Sequence, residues 1–321
     1  MIYKSQIIQG DVRTSLGTLE DASIDCVVTS PPYYGLRNYG VDGQIGLEST
    51  IDEYVDTMVK VFIEVSRVLK PSGTLWLNLG DSYTSGGRKT CDPGVSVLHP
   101  AQQKGMVRPE VPNGLKPKDL CGIPWRVAFA LQADGWYLRQ EIIWSKPNPM
   151  PESVKDRCTK AHESIFLLAH AESKGKYYYD ADAIREKSET QWNSTQFVTE
   201  KRVQRDIGKG FGNLNQGNSA HPDLERNDRN KRSVWNISLK PYSAAHFATF
   251  PPELPRTCIL AGCPEDGTVL DPFAGAGTTL MVANQLQRHA IGVELNPDYA
   301  QLGQDRIYDD APLFNGIGGL A

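Results

Sequence analysis

The chain has 321 residues, 40% hydrophobic and 22% charged, enough to bury one substantial core with a smaller lobe beside it. It has no apolar run near the roughly 18 residues of a membrane span, and its first residues lack the charged head and apolar stretch of a secretory signal, so a cytoplasmic protein is expected. A net charge of -4 argues against a uniformly basic surface, and six scattered cysteines (Cys26, Cys91, Cys121, Cys158, Cys258, Cys263) without a Cys-x-x-Cys pair argue against a disulfide framework or a metal site.

In chain order, Ile7-Ile8 followed by Gln9-Gly10-Asp11 reads as a short buried strand ending in a turn. Ile24 to Val28 reads as a strand apolar on both faces, stopped by Thr29-Ser30-Pro31-Pro32-Tyr33. Thr50 and Glu53 form a capping-box pattern ahead of Val55, Met58, Val59, Phe62, Val65 and Leu69 at helical spacing. Pro71-Ser72-Gly73 should end that helix before a strand over Thr74–Leu79. Residues 84–118 read as a long loop. A helix is predicted from Trp125 to Ala133, and strands at Glu141–Trp144 and Ser164–Ala169. Val269-Leu270, Thr278–Leu286 and Ala290–Leu295 continue as strand, helix and strand. Alternation of this kind predicts an α/β sheet.

Between about 185 and 234 the composition turns polar and basic. Residues 201–240 hold nine basic side chains against four acidic ones, inside an acidic protein. This divides the chain into 1–184, an inserted segment 185–234, and 235–321. A solvated surface insert and a nucleic-acid-binding lobe, with Arg202, Arg205, Lys209, Arg229, Lys231 and Arg232 as contacts, both suit that composition.

Val269-Leu270-Asp271-Pro272-Phe273-Ala274-Gly275-Ala276-Gly277-Thr278-Thr279 is a strand, a glycine-bearing turn and a helix start in a row. Gly275 and Gly277 permit close backbone approach to a ligand, and Thr278 or Thr279 can cap the helix. Glu294, at the end of the next strand, is placed to accept ribose hydroxyls. Leu280 stands where a dinucleotide fingerprint needs its third glycine, and no Gly-Lys-Ser/Thr follows. A nucleoside without phosphate fits better, and S-adenosylmethionine is the obvious one.

D-P-F-A-G-A-G-T-T with the later G-V-E-L-N resembles the cofactor motifs of DNA methyltransferases that act on exocyclic amines, and H-F-A-T-F-P-P-E-L resembles that family's methionine-binding segment. The resemblance implies cofactor contacts from Asp271 and Phe273, a methionine end lined by His246, Ala248, Phe250 and Pro251, and an adenine contact from Asp11. It also implies a Rossmann-like S-adenosylmethionine-dependent methyltransferase sheet with helices on both faces and a circularly permuted, β-type motif order. Double-stranded DNA would be the substrate, a restriction endonuclease a possible partner, and the enzyme a monomer or homodimer from a bacterium, archaeon or phage.

Thr29-Ser30-Pro31-Pro32-Tyr33 is the most specific signal. The lone pair of a base amine is delocalised into the ring, so a site must draw it out of conjugation. The Ser30 hydroxyl and the Pro31 carbonyl can accept the two amine hydrogens, Pro31 and Pro32 stiffen the loop, and Tyr33 offers a face for an extruded base. No Pro-Cys dipeptide is present, so attack by a thiolate at cytosine C5 lacks a nucleophile. In the family, Ser at the first motif position more often accompanies cytosine N4 and Asp adenine N6; the sequence therefore favours N4 of cytosine, with adenine N6 as the alternative. RNA or protein-glutamine methylation, and DNA binding without catalysis, fit the motifs less well. Asn78 to Tyr83 and Trp144-x-Lys146 read equally as turns or as walls of the base pocket.

Overall fold

The computed structural model describes residues 4–36, 40–84, 111, 114–188, 228–239 and 250–310. The chain forms two units, Met1–Asp180 with Arg232–Ala321, and Ala181–Lys231. The smaller contains β6 (Glu186–Lys187) paired antiparallel with β7 (Asp228–Arg229), with Arg185 bonded to Asp228 and Arg229 to Glu186.

The larger unit is built on an eight-stranded sheet in the order β1-β10-β9-β2-β3-β5-β4-β8. Its strands are β1 (Ser5–Gln9), β2 (Ile24–Thr29), β3 (Leu69–Leu79), β4 (Tyr137–Ser145), β5 (His162–Ala169), β8 (Val234–Asn236), β9 (Thr268–Asp271) and β10 (His289–Glu294). From β1 to β3 all neighbours run parallel, while β5 is antiparallel to both β3 and β4. The inner strands are buried along most of their length: Val27, Leu77, Phe166 and Leu270 have no exposed surface. That is what a sheet covered by helices requires.

The helices are α1 (Val12–Ser15), α2 (Ile51–Val68), α3 (Ile123–Ala133), α4 (Glu253–Gly262), α5 (Thr278–Gln285) and α6 (Pro297–Asp310). None among the described residues is long and apolar enough to cross a membrane. The capping box forms: Thr50 Oγ1 accepts from the Glu53 N–H at 3.1 Å and Glu53 Oε2 from the Thr50 N–H at 3.2 Å. Tyr54, Met58, Phe62 and Val65 then turn one buried stripe to the core. The helix ends one residue earlier than its apolar spacing suggests. Leu69 is already extended and pairs with Ile24, so β3 begins ahead of Pro71. Two helices are absent from the sequence-based expectations, α4 and α6, although Asn296-Pro297-Asp298 opens α6 with Asn296 Oδ1 accepting from the Asp298 N–H at 2.9 Å. Cys26, Cys121, Cys258 and Cys263 are buried, Cys158 is exposed, and Cys91 lies outside the described residues.

Candidate active site

Functional groups in an open α/β sheet gather beyond the carboxyl ends of its strands. Here β9 lies directly beside β2, with Cys26 opposite Val269 and Val27 opposite Leu270. The pairing brings Thr29-Ser30-Pro31-Pro32-Tyr33 against Asp271-Pro272-Phe273-Ala274-Gly275, although 242 residues separate Thr29 from Asp271. Asp271 joins the two turns. One carboxylate oxygen accepts from Thr29 Oγ1 at 2.7 Å and from the Phe273 N–H at 3.1 Å, the other from Thr279 Oγ1 at 2.6 Å. Burial outweighs those bonds and pushes the Asp271 carboxyl up to about 6.

Two cavities open on this junction. The first, about 950 Å³, is lined by Gly10, Asp11 and Val12 after β1, by Gly43, Gln44 and Ile45, by Phe273, Gly275 and Ala276, and by Glu294, Asn296 and Tyr299. Glu294 uses its carboxylate on backbone, accepting from the Gly275 N–H and the Asn296 N–H at 2.8 Å each, which locks the turn after β9 to the end of β10. Burial raises its pKa while those two bonds oppose the rise. Each oxygen retains acceptor capacity for a hydroxyl. Asp11 caps α1 through the Arg13 N–H and forms an ion pair with the Arg13 guanidinium, which holds its carboxyl below the usual value. Arg13 also donates to the Gly43 carbonyl at 3.0 Å, tying the 43–45 wall to α1.

The two glycines of the turn do different jobs. Gly275 has φ +52°, and a Cβ there would meet nothing within 4 Å, since it faces cavity space. Gly277 has φ +72°, and its Cβ would sit 3.1 Å from the backbone of Gly303 in α6. Gly277 therefore serves helix packing and lines neither cavity, contrary to the expectation that it approaches the ligand. Asp271 and Thr279, also expected to touch cofactor, are buried, bonded to each other, and line neither cavity. Neither threonine caps α5. Its N-cap is Gly277 with no side-chain bond, and the Thr278 hydroxyl accepts from Arg306 at 2.8 Å. Thr278 and Phe250 line the second cavity instead of the first, and Pro251 lines neither. His246, Ala248, Arg202, Arg205 and Lys209 lie outside the described residues. Arg229 bonds Glu186 at 2.7 Å within the smaller unit, Lys231 closes that unit, and Arg232, which opens the last stretch of the larger one, accepts the Trp235 indole N–H on its carbonyl.

The second cavity, about 1090 Å³, shares Ser30, Phe273, Gly275 and Ala276 with the first and extends over Pro31, Tyr33, Asn78, Trp144, Lys146 and Glu163. Antiparallel pairing assembles these polar groups. Trp144 on β4 lies opposite Glu163 on β5, while Asn78 on β3 faces Ile165, two residues along the same face. Tyr33 lays its ring on Gly80, where a Cβ would come within 2.4 Å of it, and its hydroxyl donates to Glu163 Oε2 at 2.7 Å. Burial is the first cause that pushes this phenol well above its usual value. Ser30 Oγ lies 3.2 Å from the Tyr33 hydroxyl, and Asn78 Nδ2 reaches Ser30 Oγ, Tyr33 OH and Glu163 Oε2 at 3.2, 2.9 and 2.9 Å. Lys146 Nζ bonds Glu163 Oε1 and stands 4.3 Å from the centre of the Trp144 ring. Asn78 Oδ1 is buried with no partner among the described residues. Asp81, three residues on, is structural: its carboxylate caps α3 through the Gly122 and Ile123 N–H groups.

Glu163 escaped the sequence reading, as did the 43–45 wall and Tyr299. For Glu163 a signal existed: one carboxylate at the head of the apolar run Ser164–Ala169.

The model of a family described as DNA methylase, of the N6/N4 methyltransferases, matches residues 24–305. The chain is 48% identical over 301 residues to the type II methyltransferase M.Cfr9I of Citrobacter freundii, covering 94% of this chain and 87% of the relative. It is 48% identical over 306 residues to the type II methyltransferase M.SmaI of Serratia marcescens, covering 94% and 90%. Among solved structures, the cytosine-N4-specific PvuII DNA methyltransferase superposes with a TM-score of 0.62 at 20% identity over 98% and 93% of the two chains. A putative DNA modification methylase of Thermus thermophilus, solved with S-adenosyl-L-methionine, gives 0.57 at 24% identity over 97% of both.

Proposed function

The chain belongs to the N6/N4 DNA methylase family, and on that premise we propose that it methylates N4 of cytosine in double-stranded DNA. It is an S-adenosylmethionine-dependent DNA methyltransferase. The first cavity suits that cofactor. Its walls at Val12, Ile45, Val293 and Phe273 are apolar, as an adenine ring needs, Gly275 leaves open space, and Glu294 and Asp11 supply acceptors. When bound, the cofactor supplies an activated methyl group.

The protein's part is to position the amine. Ser30 carries the reading, because it lines both cavities and so stands where methyl donor and base amine meet. Its hydroxyl accepts one amine hydrogen; the Pro31 carbonyl in the same wall accepts the second. The nitrogen lone pair is then drawn from the ring. Tyr33, backed on one face by Gly80, supports the extruded base. For cytosine over adenine two features speak. Ser30 stands at the position that in this family more often accompanies N4 chemistry, and Lys146 Nζ offers a donor to the O2 carbonyl that cytosine has and adenine lacks.

Motif order is permuted, since the turn bearing Ser30 precedes the cofactor turn by more than two hundred residues. The 185–234 insert between them, basic in composition, is the proposed target-recognition lobe, and a restriction endonuclease of matching specificity is the proposed partner. Mass spectrometry of nucleosides from genomic DNA treated with the enzyme tests the base. N4-methylcytosine is expected; N6-methyladenine alone would overturn the choice of base.

A further inference from the structure

We propose that Glu163 is the terminal acceptor of the proton that the target amine sheds on methylation, reached through Ser30 and Tyr33. The proposal rests on the amine-methylating reading above. As an amino nitrogen gives its lone pair to a new N–C bond, positive charge builds on it with two hydrogens attached, and one of them leaves in the same step. The neutral product forms when one N–H bond breaks and its electron pair returns to nitrogen and the ring. A group in the site must take that proton.

The described residues provide one continuous route. Ser30 Oγ, at the junction of the cavities, takes the amine proton and passes its own to the Tyr33 hydroxyl 3.2 Å away. Tyr33 passes its proton to Glu163 Oε2 at 2.7 Å. Ser30 and Tyr33 end neutral, and Glu163 ends as a carboxylic acid that releases its proton after the product leaves. Glu163 is bonded to Tyr33, whereas the other acids near the junction bond neither Ser30 nor Tyr33: Asp271 accepts from Thr29 and Thr279, Asp11 pairs with Arg13, and Glu294 accepts from two backbone N–H groups. Among the described residues lining the base cavity, Glu163 is the one carboxylate. It is held in place by Lys146 from β4 and Asn78 from β3, and Lys160 adds a second cation nearby, its own pKa lowered chiefly by burial. A network serving rigidity alone would also be hydrogen-bonded throughout. What distinguishes a relay is that its links carry one proton in series.

The test is single-turnover methyl transfer to unmethylated genomic DNA, with enzyme in excess, by the wild type, Tyr33→Phe, Glu163→Gln and the double variant, each in H2O and D2O. Tyr33→Phe keeps the ring on Gly80 and removes only the relaying hydroxyl, so it decides the matter even if Glu163→Gln folds poorly. Each single variant is expected to slow transfer by about 10²-fold, and the double variant to be no slower than the worse single. The wild type should show a solvent isotope effect that Tyr33→Phe lacks. Cofactor affinity by calorimetry, and base extrusion followed by 2-aminopurine fluorescence, should stay within about threefold of wild type, since stacking and the first cavity are untouched. Transfer by Tyr33→Phe near the wild-type rate, multiplying losses in the double variant, or an isotope effect that survives Tyr33→Phe would overturn the relay while leaving the methylated base in place. Absence of any N-methylated base from the wild-type reaction would overturn the parent reading and the relay with it.

Discussion

The two cavities meet at Ser30 and Gly275 but are made of different material. The first is held by side chains that grip main chain: Glu294 takes two peptide N–H groups, Arg13 the Gly43 carbonyl, and the turn after β9 leaves a glycine facing open space. The second is held by side chains, with Ser30, Tyr33, Asn78, Lys146 and Glu163 converging from β2, β3, β4 and β5 and their flanking turns. A nucleoside common to many enzymes can be held by main chain, which any sequence with the right turn supplies. A reacting amine needs acceptors of defined chemistry, which only side chains give.

The sharpest division between the cavities should come from Ser30→Ala. Loss of one preorganised acceptor should slow methyl transfer by about 10²–10³-fold, with cofactor affinity by calorimetry unchanged. A matching loss of cofactor affinity would show that the cavities are one site energetically.

Asp271 lies under both cavities, and its replacement by Asn tests whether the joint between them responds to protons. The folded-state pKa of about 6 is raised above the ordinary value of 3.8. The protonated form therefore favours folding: the contribution is fully present below about pH 4 and is lost as pH rises through 6, on the order of a few kcal/mol. Urea melts between pH 4 and 7 should show this decline in the wild type and a flatter profile in Asp271→Asn, whose amide keeps an acceptor oxygen for one threonine. Identical profiles would mean that Asp271 stays ionised throughout.

A smaller effect separates the neighbouring glycines. Gly277→Ala forces a Cβ against Gly303 at positive φ, so it should cost about 1–3 kcal/mol of stability with little loss of cofactor affinity per folded molecule. Gly275→Ala bears backbone strain of similar kind, but its methyl enters the cavity wall and should weaken cofactor binding about tenfold. Reversal of that pattern would return Gly277 to the ligand.

These contrasts also govern what could be seen in the sequence. Gly275, Glu294 and Ser30 sit in contiguous strand-turn segments whose local chemistry announces them. Gly277, Asp271 and Thr279 sit in the same segments, and only the packing of α6 and the pairing of β9 with β2 shows that they line neither cavity. Glu163 depends on the register of β5 against two antiparallel neighbours, which no local pattern encodes. The helices α4 and α6 are hard to see because a proline pair opens the first and the second is largely polar, so neither begins as a clear amphipathic repeat.

The bond between Thr29 and Asp271 has a consequence for the chain as it is made. When β2 and β3 leave the ribosome, the neighbour that will cover the other edge of β2 has yet to be translated, and 242 residues separate the two partners of that bond. Over that interval an apolar strand presents unpaired N–H and C=O groups, the condition under which nascent chains stick to one another. At synthesis rates of about 5–20 residues per second the exposure lasts on the order of ten seconds or more. Yield of folded enzyme should therefore rise with chaperone supply and with slower, cooler expression, and a version of the gene rearranged so that β9 and β10 are translated first should depend less on either.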